Sequence, residues 1–307
     1  MREGHRMSSE TVAPAAATTA APVRRAAADV PVNRRRRRNP AALYIVLILL
    51  AGLFLGPFGW LVLAALKTKA EWVALPTHIL PDHPQWSNFV DALTTINFPA
   101  YAANSLFLSS LYAVLVTLFS AVVGFGFARL RGPGKQPLFV VVLSTMMLPQ
   151  ILTVIPTYVL FSRVGLVNTY WPWVLWGIGT SPYLVFLFRQ FFSAIPIDLE
   201  DAAIIDGCGY GRIFFRIFLP LSRPALLTSF LISFVWIWGD YISPALFLDS
   251  SKSTLAVALT LYLDPHGNPI DTVQAAAAAL YIMPVLILFM FAQRYFIRSV
   301  VASGVKG

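Results

Sequence analysis

The residues able to do chemistry are few, and they are poorly placed for catalysis. His5, His78, His83 and His266 are scattered with no ligand spacing, and Cys208 is the single cysteine. Neither a cysteine-based metal cluster nor a disulfide framework is therefore available. Gly134-Lys135 is followed by Gln136 and lacks the upstream glycine of a phosphate loop, so any ATP chemistry must come from a partner. Two acidic features remain. Glu200, Asp201 and Asp206 stand in a short stretch closed by Gly207, and Asp240 lies inside the apolar run FVWIWGDYISPALF. A carboxylate within a membrane span costs about 2.5–3.5 kcal/mol on insertion scales, so it should face a cavity or a partner. The competing reading puts it near the outer interface, with Trp236, Trp238 and Tyr241 as an aromatic belt. A straight helix would set Asp240 about 12 Å below Leu248. Gln150 and Asn104 join Asp240 as candidates for a translocation path, although each suits an interhelical hydrogen bond as well, as does Gln274. With one intramembrane acid, neither a proton relay nor an embedded enzyme has the groups it needs.

The elements that hold these residues follow from composition. Of 307 residues, 57% are hydrophobic and 12% charged. A soluble domain carries about 25% charged residues, so an ordinary soluble protein and a disordered one are both excluded. Six segments reach the roughly 20 apolar residues of a span: 42–66, 103–128, 138–161, 170–188, 226–248 and 273–293. The fourth is the shortest and is interrupted by Pro172 and Pro182. With both termini cytoplasmic, 19 Lys and Arg fall inside and 4 outside, as the positive-inside rule requires. The fold class is thus an all-α integral membrane protein with six transmembrane helices. The first segment is too long, and too far from the start, for a signal peptide.

Residues 1–39 are rich in Ala, Pro, Thr and Arg and predict a disordered basic cytoplasmic tail, with residues 40–307 as the membrane domain. The run Arg34–Arg38 lies just before the first span, which suits a topological signal resting on anionic membrane lipid rather than nucleic acid. The outer loop 67–102 reads as irregular or interfacial, and the outer loop 249–272 carries turn signals at Asp264-Pro265 and Gly267-Asn268-Pro269. Gly52-x-x-x-Gly56 and the Ala275–Ala279 run permit close helix packing, within the subunit for the alanines.

The longest inner loop, 189–225, is patterned as two short helices. Asp198 after Pro196 can cap the first, Glu200 and Asp201 fit its first turn, and Gly207 is a left-handed stop. A second piece at about 209–218 places Arg212 and Arg216 on one face and Ile213 and Ile217 on another, with Pro220 ending it and Pro224 opening span five. Pattern alone does not separate docking to a partner from lying on the membrane surface.

This loop resembles the permease subunit of bacterial binding-protein-dependent ABC importers. That family's signature is E-A-A, three residues, G, nine residues, then I-x-L-P. Here it reads Asp201-Ala202-Ala203, Gly207, then Ile217-Phe218-Leu219-Pro220, with Asp201 in place of Glu and Glu200 beside it. Asp206-Gly207, Leu219–Pro224, Arg129–Lys135 and the ending Ser303–Gly307 are similar to the carbohydrate, maltose-type branch.

The resemblance implies a type I importer permease in the bacterial inner membrane. Glu200, Asp201, Ala202, Ala203, Asp206, Gly207, Ile217, Leu219 and Pro220 would couple it to two copies of a cytoplasmic ATPase, whose ATP-driven closure rocks the spans. It further implies a second, related permease, an extracytoplasmic binding protein and a sugar or oligosaccharide as cargo. The chain itself needs no cofactor, because ATP belongs to the partner. A polyamine, glycerol phosphate or amino acid would fit the same machine. An ion-coupled transporter would instead require intramembrane charge pairs or inverted repeats, and neither is visible.

Overall fold

The computed structural model describes residues 40–304 apart from 77, 264 and 265, with side chains from 41 to 293. The tail 1–39, with Arg34–Arg38, and the side chains of Ser303–Gly307 lie outside the described residues. So does the turn signal Asp264-Pro265. The chain divides into two units, residues 1–51 and 52–307. Among the described residues the structure is helical, with one isolated antiparallel bridge between Leu263 and Pro269.

Helix α1 runs Pro40–Ala65, and its side chains from Leu43 to Phe58 are largely exposed. Gly52 and Gly56 have nothing within 4 Å of where a Cβ would stand, so the expected close packing at this pair is not made here. The segment 67–102, expected to be irregular or interfacial, is more ordered than its prolines suggest. It holds α2 (Lys69–Val73) and α3 (Ser87–Thr94). Thr68 and Glu71 form a reciprocal capping box at the start of α2. The backbone N–H groups that Glu71 accepts, first that of Thr68, hold its carboxyl below the usual range.

Helix α4 (Phe98–Arg129) is the axis on which the rest assembles. One side of it is lined with small residues: Ser105, Ser109, Ala113, Thr117, Ser120, Ala121 and Gly124 are all buried. In lipid the hydrophobic effect does not drive helices together, so close approach at small residues supplies the contact energy. At Gly124 a Cβ would stand 2.6 Å from Phe188 Cβ and 3.1 Å from the backbone of Arg189, so only glycine permits this crossing.

Three of the other apolar segments, 138–161, 170–188 and 226–248, are not continuous. Helix α5 (Lys135–Ser144) and a 3-10 turn (Thr145–Met147) meet α6 (Gln150–Arg163) at a 96° bend. Helix α7 (Trp171–Ile178) and α8 (Pro182–Ser193) are separated at Gly179–Ser181, where Thr180 has φ 67°. Among the described residues three helices are long and apolar enough to cross a membrane, or up to five if each bent pair is one span. The segment 170–188, expected as one span, is two short helices, because Gly179 and Pro182 interrupt the ladder.

After α9 (Asp198–Ile205) come α10 (Tyr210–Ile213), a π-helix (Phe214–Phe218) and α11 (Leu219–Leu221). The second helical piece therefore runs beyond 218. Pro220 does not end it; the backbone widens to π geometry just before the proline. The break comes at Ser222, whose hydroxyl and N–H both donate to the Phe218 carbonyl. There α12 (Arg223–Trp238) begins with Pro224 in its first turn, at 78° to the preceding helices.

Helix α13 (Ile242–Phe247), α14 (Leu255–Ala258) and α15 (Asp271–Gly304) complete the chain. Ala276 and Ala277 are fully buried in the core that α15 shares with α4 and α12, as expected of packing within the subunit. Trp238 stacks on Tyr281 at 5.2 Å and donates from Nε1 to its carbonyl.

Candidate functional site

Two places gather the residues singled out above. The first is α9. Three acids, Asp198, Glu200 and Asp201, occupy its first turn, where the helix dipole favours negative charge. Asp198 is not the cap. The chain enters through Ile197, which already has helical dihedrals, so Asp198 is the first helical residue and its side chain makes no capping bond. The far end is as expected. Gly207 has φ 78°, its N–H donates to the Ile204 carbonyl at 2.9 Å, and the Cys208 N–H donates to Ala203 at 2.9 Å. These two bonds make a Schellman motif.

The two adjacent acids divide their roles. About 100° separates consecutive residues around a helix, so Glu200 and Asp201 cannot face the same way. Glu200 is 5% exposed and turns inward, while Asp201, Ala202 and Asp206 stay exposed. Glu200 Oε2 lies 3.4 Å from a terminal nitrogen of Arg129, and the two side chains are 7% and 8% exposed. Arg129 ends α4. It donates to the carbonyls of Phe192, at 2.7 Å, and of Ile195, which follow from α8, and its guanidinium lies 4.9 Å from the Phe218 ring. One side chain thus touches α4, the end of α8, α9 and the π-helix. The sequence marks Arg129 only as part of the Arg129–Lys135 segment; its pairing with Glu200 is not visible there, because an arginine at the end of an apolar span looks like an ordinary topological charge.

Around this hub Phe125, Phe192, Phe214 and Phe218 pack with ring centroids 5.0–6.3 Å apart. Ile217 and Leu219 lie against the same cluster, and Pro220 is exposed beside them. The I-x-L-P half of the motif is therefore placed to pack the turn that carries α9. Asp201, Ala202, Asp206 and Gly207 are exposed, whereas Ala203, expected at the coupling surface, is buried in the same cluster. The outward side of α9 carries exposed acids, Asp198, Asp201 and Asp206, and exposed apolar side chains among them. Ile205 is 85% exposed, and Ile197, Leu199, Ile204 and Tyr210 are exposed near it.

The second place is a cavity of about 420 Å3 lined by both Asp240 and Gln150. It is built from the discontinuities. Thr145 and Gln150 flank the α5–α6 bend, Thr180 and Ser181 form the α7–α8 break, and Asp240 sits in the break between α12 and α13. Irregular backbone at membrane depth is tolerated where it lines a cavity, and each break leaves polar groups there. Trp176 and Trp236 add aromatic surface, and among the described residues no Lys or Arg lines the cavity. Asp240 Oδ1 accepts the Ser243 N–H at 3.1 Å, opening α13. The 12 Å depth presumed a straight helix through Asp240 and does not apply, because α12 ends at Trp238. Asn104 is not among the lining residues; its amide donates to the carbonyls of Ser251, at 3.3 Å, and Ser253, at 3.1 Å, just before α14. No group of three or more His, Cys, Asp or Glu able to hold a metal occurs among the described residues.

Long apolar helices, broken ones whose breaks surround a polar cavity, and a short helix with exposed apolar side chains define a multi-pass membrane permease. Residues 117–302 match the family described as binding-protein-dependent transport system inner membrane component, and the chain belongs to that family. It is 34% identical over 251 residues to the arabinooligosaccharides transport system permease protein AraQ of Halalkalibacterium halodurans, covering 80% of this chain and 89% of that one. It is 32% identical to the melibiose/raffinose/stachyose import permease protein MelC of Bacillus subtilis, covering 82% and 91%. Among solved structures it is similar to a chain of a bacterial ABC transporter involved in the import of the acidic polysaccharide alginate. That match has a TM-score of 0.72 at 21% identity and covers 84% of this chain and 96% of that chain, a likeness of fold.

Proposed function

We propose that this chain is one of two permease subunits in an ATP-driven importer of a sugar or oligosaccharide in the bacterial inner membrane. In this reading the chain crosses six times, the broken α7–α8 pair counting as one crossing, with both termini and α9 on the cytoplasmic side, as the excess of Lys and Arg there supports. Helix α9 seats its Ile205 face and Asp201–Gly207 in a cleft of an ATP-binding subunit, one of two in the complex. An extracytoplasmic binding protein delivers the solute. The observation that carries this reading is the near full-length match to sugar permeases, with the signature spacing falling on a helix with exposed apolar side chains.

The cavity supports the choice of cargo. Hydroxyls and an amide beside tryptophan faces suit a neutral polyhydroxylated solute. Co-purification from native membranes in mild detergent is the test. Recovery of a phosphate-loop ATPase and a second permease is expected; recovery of the chain alone, in a detergent that keeps such complexes together, would refute the assignment.

Asp240 gives a sharper check on the path. Asp240→Asn keeps the acceptor for Ser243, while Asp240→Leu removes it and the polarity together. Uptake of the solute carried by the co-purified binding protein should fall at least about tenfold in the leucine variant, equivalent to roughly 1.4 kcal/mol, and by much less in the asparagine one. Unchanged uptake in the leucine variant would remove Asp240 from the path.

A further inference from the structure

Close to the Arg129 hub, the chain turns from α4 into α5 through Arg131-Gly132-Pro133-Gly134-Lys135. Gly134 takes the left-handed conformation there, with φ 74°. A groove of about 400 Å3 opens between the last turns of α4 and the first turns of α5. Its wall is apolar, formed by Val123, Phe127, Leu130 and Leu138, and its mouth carries Arg131 and Lys135. Lys135 Nζ donates to the Leu130 carbonyl at 2.6 Å, which holds the ammonium at the groove. From α8, Arg189 lays its guanidinium 4.0 Å from the Phe139 ring and lies near enough to Lys135 for the two charges to repel.

The contrast with Arg129, two residues before Arg131, is informative. Arg129 is buried against a carboxylate, but Arg131, Lys135 and Arg189 have no carboxylate partner among the described residues. Three like charges held together invite an anion. The wall excludes the simplest one. A soluble anion has no use for an apolar groove, and this one ends at Leu138, beyond which Val140 and Val141 are also exposed along α5 in an apolar segment. A molecule with an anionic head and a hydrocarbon tail satisfies both halves at once.

We infer that this groove holds an anionic phospholipid, its phosphate at the mouth with Arg131 and Lys135, where the charge of Arg189 beside Lys135 adds to the attraction, and an acyl chain against Phe127 and Leu138. The inference rests on the reading above that this end of the chain meets the cytoplasmic leaflet. The lipid would brace the α4–α5 turn beside Arg129, and so beside α9.

The test uses the full chain with its co-purifying partners, reconstituted in phosphatidylcholine vesicles with and without phosphatidylglycerol. The protein is re-extracted, and the lipid left after washing is measured by mass spectrometry. Phosphatidylglycerol should be retained selectively over phosphatidylcholine. Each Lys or Arg at an anionic surface multiplies affinity by about five. R131Q/K135Q should therefore lose roughly 25-fold in retention on the same scale, while the charge-keeping pair R131K/K135R holds it. The basic tail contributes equally to all three proteins. Equal retention in R131Q/K135Q and the unaltered chain, or no preference over phosphatidylcholine, would overturn the site. So would displacement of phosphatidylglycerol by millimolar inorganic phosphate, which would make it a soluble-anion site. ATPase subunit recovery in the same preparations keeps the two readings apart: its absence with selective retention intact would fault the importer assignment and not the lipid site.

Discussion

Replacing Arg129 with alanine should release the short helix α9 and uncouple this chain from its ATPase. Arg129 and Glu200 are buried together, and the arginine also covers the carbonyls of Phe192 and Ile195. Removing one partner of a buried pair costs about 3–5 kcal/mol, because the other charge is left without compensation. Here the chain has a way out. Glu200 lies in an eight-residue helix whose other residues, apart from Ala203, are exposed, so it can reach water if α9 unwinds. The expected result is normal insertion with at least about a hundredfold weaker hold on the ATP-binding subunit, the equivalent of roughly 2.7 kcal/mol. Glu200→Gln should do less harm, since the carbonyl bonds of Arg129 survive. Adding it to Arg129→Ala should recover part of the loss, because no bare carboxylate then remains. Arg129→Lys keeps the charge without the fork and should fall between. Co-purification of the ATPase and its stimulation by the binding protein read the series. Undiminished coupling in Arg129→Ala would reduce the pair to a surface detail.

The same pair shows what the amino-acid sequence makes legible. Composition and charge bias locate the apolar segments, and the three unbroken helices fall close to the expected spans. Motif spacing locates α9, and Gly207 ends it as its residue type requires. What hydropathy misses is interruption. A window average over 138–161, 170–188 or 226–248 is apolar throughout, yet each is broken where Pro149, Gly179 or Gly239 weakens the helix. Those breaks create the cavity, so its composition was hidden by the averaging that found the spans. The inward and outward acids of α9 were hidden for a different reason. Glu200 and Asp201 look alike in a first turn, and only the partner at residue 129, far off in sequence, decides which one is buried.

Ile205→Asp should have the second large effect, and it tests the outward face as Arg129→Ala tests the inward one. Ile205 is the last residue of α9 and is 85% exposed, with Ile204, Leu199 and Ile197 beside it. Burying an isoleucine side chain contributes about 1.5–3 kcal/mol, which is roughly a ten- to hundredfold change in affinity. Aspartate forfeits that gain and adds the cost of desolvating a charge, so the loss should exceed a hundredfold by this reckoning. An acid in the last turn also opposes the helix dipole, so Ile205→Asn serves as the control with no charge. Ile205→Ala should sit at the low end of the loss and Ile205→Val close to the unaltered chain. Because this side chain touches nothing that holds the fold together, insertion and thermal stability should stay unchanged across the series, which separates lost docking from lost structure. Full ATPase recovery with Ile205→Asp would mean that the partner does not bury this side chain. Asp201, Ala202 and Asp206, exposed on the same side of the helix, would then be the residues to alter, and the buried Arg129–Glu200 pair would still be needed to hold them in place.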